Sequence, residues 1–176
     1  MSTAVYVVLG ALAYVLFATR PPPAQGISDA EWLARVAVEE AGGGGQGEEW
    51  HGIMFVALNR AERSGKTLEE TIASTSWFGG GSRGRRAVAE ILSDHPLEHS
   101  NYPAALATAQ QLLAGMVPNP IGERRHFFHP GGMPSCDVDG EWYDGKLCVD
   151  GKLWPRWATP EHADYPPIRV GRAIFS

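Results

Sequence analysis

Residues 28–60 read SDAEWLARVAVEEAGGGGQGEEWHGIMFVALNR, and two helices around a glycine turn account for the whole stretch. Ser28-Asp29-Ala30-Glu31 has capping-box spacing: the serine oxygen meets the N3 amide while the glutamate reaches back to the cap. The first helix therefore starts after Ser28. Leu33, Val36, Ala37, Glu40 and Ala41 form its apolar face at the i, i+3, i+4, i+7, i+8 spacing. Gly42 to Gly45 ends it, because glycine fills the left-handed cap position and resists helix continuation. A second helix follows from about Gly47 to Arg63. Its middle, Ile53 to Leu58, is apolar on every side and predicts the central buried helix.

Outward from this pair, Thr67 to Ala73 predicts a short helix, Phe78 to Gly84 a glycine-rich loop, and Arg85 to Leu92 a helix facing inward with Val88, Ile91 and Leu92. Asn101 is placed to cap a further helix with Pro103 near its start and Leu106, Ala109, Leu112 and Leu113 on one face. Pro118-Asn119-Pro120 breaks the chain, and helical periodicity then disappears. His126 to His129 and Ile168 to Phe175 read as short strands, with Asp139-Gly140 and Asp144-Gly145 as turns. The fold class is α+β: a mainly helical domain over 28–176 with a small β element in its C-terminal third.

The chain has 176 residues, enough for one domain of ordinary size plus a tail, and its formal charge of -5 argues against a nucleic-acid partner. Residues 1–20 stand apart. Ala4 to Thr19 holds no charge but spans only about 24 Å as a helix, short of the ~30 Å hydrocarbon core. A membrane anchor and a cleaved signal peptide compete for it. A buried core helix is the weakest reading, since a helix apolar on all sides needs a large protein around it. No Lys or Arg precedes the span, which weakens the signal-peptide reading and favours an anchor. Residues 21–27, opening with three prolines, form a linker.

Glu40 is out of place on its stripe. A polar group buried without a partner costs roughly 2–7 kcal/mol, so this carboxyl is paired, has a raised pKa, or faces a cleft. A raised pKa beside a cleft is what a general acid needs near neutral pH. The structural alternative is a cap on the Gly42 to Gly45 amides. Glu39 lies four residues after Arg35, the spacing of a surface ion pair, which leaves Glu40 as the catalytic candidate. Glu48 and Glu49 open the second helix, where the dipole favours anions.

Two cysteines allow one bridge or half a metal site. Cys136 and Cys148 flank the Asp-Gly turns, as a hairpin staple would, and a disulfide suits an oxidising, exported location. A zinc site built from His126, His129, Cys136 and Cys148 is the rival, although its spacing fits no common module, and free thiols are a third possibility. No HExxH motif occurs, so a zinc peptidase is poorly supported and no metal or other cofactor is expected.

Several segments, in order, resemble the spore-cortex-lytic (SleB-type) cell wall hydrolases. They are Glu40-Ala41-Gly42, Gln46-Gly47-Glu48-Glu49 and Val56-Ala57-Leu58-Asn59-Arg60, then Trp77-Phe78, the Ala104 to Gly115 helix with Val117 to Gly122, His126-Phe127-Phe128-His129-Pro130, Trp154 to Trp157, and Ile168 to Phe175. The resemblance covers about residues 28–176. It implies a lysozyme-like fold that cuts peptidoglycan between N-acetylmuramic acid and N-acetylglucosamine, with a single glutamate, here Glu40, working as a lytic transglycosylase. Its partners would be glycan strands and, through residues 1–20, a membrane. Its location would be the cell envelope, anchored or exported, in wall remodelling or phage lysis. The cysteine insert departs from the family pattern, as do Ala173 and Ser176.

A hydrolytic muramidase would instead need a second carboxylate about 5–9.5 Å from the first, and Glu48 is the candidate. Trp77, Phe78, Phe128 and Trp157 are candidate platforms for sugar rings, with core packing as the alternative for each. His126 is a further candidate substrate contact. Asn59 either caps its helix end or touches an acetamido group. A non-catalytic wall-binding protein would keep the aromatics and tolerate loss of the acid.

Overall fold

A computed structural model describes residues 26–41, 47–78, 81–159 and 161–176. The hydrophobic segment 1–20, most of the linker, and the turn Gly42 to Gly45 lie outside the described residues. Among those described, no helix is long and apolar enough to cross a membrane.

Helix α1 (Asp29–Ala41) begins as its capping box requires. The Glu31 amide donates to Ser28 Oγ at 3.3 Å and the Ser28 amide donates to Glu31 Oε2 at 2.8 Å. Helix α2 (Glu48–Ser64) stops at Gly65, which takes the left-handed conformation (φ 65°) and returns its amide to the Ala61 and Glu62 carbonyls. A second capping box, Thr67 with Glu70, starts α3 (Leu68–Ile72). Helix α4 runs over Gly81–Leu92, so residues 81–84, expected as loop, are helical. Burial of Ile91 and half-burial of Ala87 and Val88 outweigh a glycine penalty of about 1 kcal/mol per residue. A short α5 (His95–Glu98) and then α6 (Tyr102–Leu113) complete the helices among the described residues. Asn101 precedes α6 without a side-chain cap, and Pro103 in the first turn takes over the start signal.

The helix buried on every side is α1 and not α2. Trp32 to Val38 are buried without a break, whereas Phe55 and Leu58 of α2 are half-buried. The alanines and valines of α1 admit neighbours all round: it packs most extensively on α6 and α2 and also touches α3, α4 and α5. Arg35 sits inside this helix at 6% exposure because its Nη1 donates to the loose carbonyls of Ile91 (2.7 Å) and Ser93 (2.8 Å) at the end of α4. The expected surface pair with Glu39 is therefore not made. Glu39 Oε1 instead meets His95 Nδ1 at 2.7 Å.

The strands fall in the last third, as expected for α+β. They are β1 (Phe127–Phe128), β2 (Trp142–Tyr143), β3 (Lys146–Val149), β4 (Lys152–Pro155), β5 (Ile168–Val170) and β6 (Ala173–Phe175). They pair antiparallel as two three-stranded sheets, β1-β6-β5 and β2-β3-β4. Phe175 of the central strand β6 is fully buried and lies flat on Gly52 of α2: a Cβ there would stand 2.4 Å from its ring. The first sheet docks on the helices through this contact. The second sheet meets the first through Trp154 of β4, which packs against Phe128 and Ile174. Asp144-Gly145 (φ 48°, 73°) and Asp150-Gly151 (φ 52°, 71°) make its two hairpin turns, both left-handed as two-residue turns require. Cys136 and Cys148 are joined in a disulfide.

Candidate active site

Glu40, on the last turn of α1, is half-buried where the helix emerges from the core. It opens onto a groove of about 740 Å³. One wall is helical, with Glu39 and Glu40 from α1, Arg60 from α2, and Ala87 and Glu90 from α4. The facing wall comes from β1 and the segments after it, with Phe127, Phe128, His129, Met133 and Trp157. Trp77, from the 3-10 turn Thr75–Phe78, closes it and donates its indole N–H to Glu40 Oε1 at 3.1 Å. The fold thus gathers the candidate acid with Trp77, Phe128 and Trp157. Phe128 is nearly buried, its ring edge-on to Trp154 and Trp157 at 5.2 and 5.8 Å, so it shapes the floor. Trp157 is 38% exposed and offers the more accessible aromatic surface.

Arg60 organises this end of the groove, and reasoning from the sequence did not single it out beyond its place in Leu58-Asn59-Arg60. Its guanidinium stacks 4.5 Å from the Trp77 ring centre, donates through Nε to the Arg125 carbonyl, and meets His126 Nδ1 through Nη2 at 3.2 Å. Burial pulls its pKa below the usual value, while the charge of Glu40 works the other way. Glu40 thus stands beside an N–H donor and a half-buried cation. Since the arginine must donate, His126 Nδ1 accepts, so the ring is neutral with its proton on Nε2. Burial lowers the His126 pKa, and Arg60 and Arg125 lower it further. The ring also packs against Trp157 at 5.1 Å, so His126 stands behind the groove wall as a support for Arg60 and Trp157.

The remaining candidates separate. Glu48 is exposed at the start of α2 and is not part of the groove wall, because the helix turns its neighbour Glu49 inward instead. Glu49 is 3% exposed; Arg172 donates to its two oxygens at 3.1 and 3.2 Å, and His129 Nδ1 lies 3.4 Å from it. Arg172 Nη2 also donates to the Ala41 carbonyl at 2.7 Å, so one guanidinium holds the end of α1 and the first turn of α2 together. Spacing gave no sign of this clamp, whose partners lie 123 and 131 residues away. Asn59 does not reach the groove. Its Nδ2 donates to the Gly122 and Arg124 carbonyls, both at 2.7 Å, which fixes the turn before β1. The Phe78 side chain lies outside what is described.

The disulfide takes both sulfurs out of any zinc donor set with His126 and His129. Among the described residues no group of three or more His, Cys, Asp or Glu is placed to hold a metal ion. No family model, curated protein or solved structure matches the chain.

Proposed function

We propose that the chain cleaves the glycan strand of peptidoglycan between N-acetylmuramic acid and N-acetylglucosamine, with Glu40 as its acid and base. The observation that carries this reading is the convergence of Glu40 with Trp77, Phe128 and Trp157 on one open groove, after the sequence had singled out each separately. The domain would then be a lysozyme-like variant, and its place the cell envelope, with residues 1–20 as anchor or export signal.

Cleavage requires a proton on the leaving oxygen as positive charge builds at the anomeric carbon. Protonated Glu40 supplies it while the bond from C1 to that oxygen breaks. The resulting carboxylate, stabilised by the Trp77 N–H and the Arg60 charge, then takes the proton of the muramyl 6-hydroxyl as this oxygen bonds to C1. Glu40 is regenerated, no water is consumed, and the product carries a 1,6-anhydro end. An intramolecular attack of this kind has the entropic advantage of a tethered nucleophile.

A hydrolytic muramidase is the second reading. It is favoured by two further carboxylates on the groove wall, Glu39 and Glu90, and no longer by Glu48. Glu39 is paired with His95 and Glu90 with Arg86 at 2.9 Å. Mass spectrometry of the glycan products decides between the two, since 1,6-anhydromuramyl ends mark the transglycosylase and reducing ends the hydrolase. Glu40→Gln is expected to lower wall cleavage at least a thousandfold. Unchanged cleavage by a folded variant would remove the single-acid mechanism.

A further inference from the structure

Arg60 and Trp77 also line a second, smaller cavity of about 240 Å³. Its wall carries Arg60, Arg63, Lys66, Arg125 and His126, a concentration of basic side chains in a chain whose formal charge is -5. The fold assembles them from two distant segments. Arg60 and Arg63 lie three residues apart on α2, Lys66 follows the reversal at Gly65, and Arg125 and His126 lead into β1.

The carboxylates nearby balance this charge only in part. Glu70 is on the wall, its Oε2 held by the Thr67 amide at 2.9 Å and the Thr67 hydroxyl at 3.2 Å, and its charge offsets that of Lys66. Asp164 is taken by Arg125 at 2.6 Å. Arg63 and Lys66 are exposed and form no ion pair among the described residues. The cations act on one another as well: Arg125 lowers the pKa of Arg60, and both lower that of His126. An anion entering here meets N–H donors and a residual positive charge centred on Arg63, whose planar fork suits a carboxylate.

We infer that this cavity receives a carboxylate of the peptide stem attached to the muramyl sugar that lies in the adjoining groove, an assignment that rests on the glycan-cleaving function proposed above. The shared walls decide for this source. An occupant that must reach a cavity bounded by the same Arg60 and Trp77 as the groove is most simply part of the groove's own ligand. A stem residue spans about 3.3–3.6 Å when extended, so its first acidic residues lie within short reach of the sugar.

The test uses calorimetry on the full chain carrying Glu40→Gln, to prevent turnover. The probes are a disaccharide bearing a tetrapeptide with free carboxylates, the same compound with every peptide carboxylate amidated, a peptide-free glycan, the free tetrapeptide, and glycerol phosphate. The acid form is expected to bind at least tenfold tighter than the amide. Adding Arg63→Ala and Lys66→Ala should erase that difference, and Arg63→Lys with Lys66→Arg should restore most of it. Where the alanine pair fails to fold, Arg63→Gln with Lys66→Gln replaces it. Equal binding of acid and amide alongside binding of peptide-free glycan would overturn the pocket and leave the groove's function standing. Binding of free tetrapeptide that depends on Arg63 and Lys66, with no affinity for any glycan, would overturn the groove's function instead. Glycerol phosphate binding tighter than the acidic peptide would overturn the carboxylate assignment.

Discussion

Trp77 gives its N–H to Glu40 and its ring face to Arg60, and substitution can separate the two contacts. Trp77→Phe keeps a ring for Arg60 and removes the donor. A hydrogen bond to a charged group is worth about 1.5–3 kcal/mol, so kcat is expected to fall roughly 10- to 100-fold with KM little changed. Loss of the donor also favours the protonated acid, which moves the alkaline limb of the pH profile upward. An unchanged pH profile would show that the indole does not act on Glu40. Two histidines report charge at the same scale. His126 is expected to titrate below about 6.5, held down by burial and its arginine neighbours, and His95 above it, held up by the hydrogen bond to Glu39. Neutral His126 contributes stability that is complete above about 6.5 and lost as pH falls through its lower folded value. Charged His95 contributes below about 6.5 and loses its effect as pH rises through its higher folded value. Imidazole NMR titration checks both, and a His126 midpoint above that of His95 would contradict the arrangement. Glu40's place at the mouth of a cleft was legible because a carboxylate on an apolar stripe demands an explanation. Arg35 was misread because its spacing to Glu39 fits an ion pair whichever way the helix face is turned, and only the packing of α4 shows that it turns inward.

At the scale of elements, caps and periodicity located α1, α2, α3 and α6 to within a few residues, since those signals are local. Which helix lies at the centre was not local. Ile53 to Leu58 looked buried from every direction, yet Phe55 and Leu58 are half-buried, whereas the smaller side chains of α1 accept neighbours on all sides. Gly52 gives a measurable form of the same point. By helix propensity alone, Gly52→Ala should stabilise α2 by about 1 kcal/mol. Its new methyl would meet the buried Phe175 ring at 2.4 Å, so the substitution is expected to destabilise by about 1–3 kcal/mol, as overpacking does. Urea unfolding gives the sign directly, and a stabilised variant would refute the docking of β6 on α2. Asn59 shows the limit from the other side. Its motif placed it near the site, but its two bonds to the Gly122 and Arg124 carbonyls make it a fastener of the turn that delivers β1 to the groove.

Across the whole molecule, the groove exists because strands distant in sequence meet. Phe127 pairs with Phe175 and Phe128 with Ile174, so the wall that faces Glu40 is set by the segment over 168–175. Nothing in a two-residue Phe-Phe strand names its partner, which is why strand positions could be read but the two sheets could not. The sheets should differ in how they couple to the rest. Phe175 is fully buried between α2 and β1, and Phe175→Ala is expected to cost about 3–5 kcal/mol, a large part of a typical stability of about 5–15. Because β6 also carries β1, glycan cleavage should fall with it. The disulfide closes a loop of 12 residues, worth about 3 kcal/mol in the chain-entropy model, but it braces the second sheet, whose turns and strand pairings are local and whose side-chain contact with the first sheet runs through Trp154. Replacing Cys136 and Cys148 by serine should therefore raise amide exchange across β2, β3 and β4 while α1 keeps its protection. Hydrogen exchange on the two variants separates the cases: Phe175→Ala lowers protection in α1, α2 and β1 together, and the serine pair lowers it in the second sheet alone. If the serine pair exposed α1 in step with β3, the two sheets would belong to one cooperative unit and the groove wall would depend on the disulfide as much as on β6.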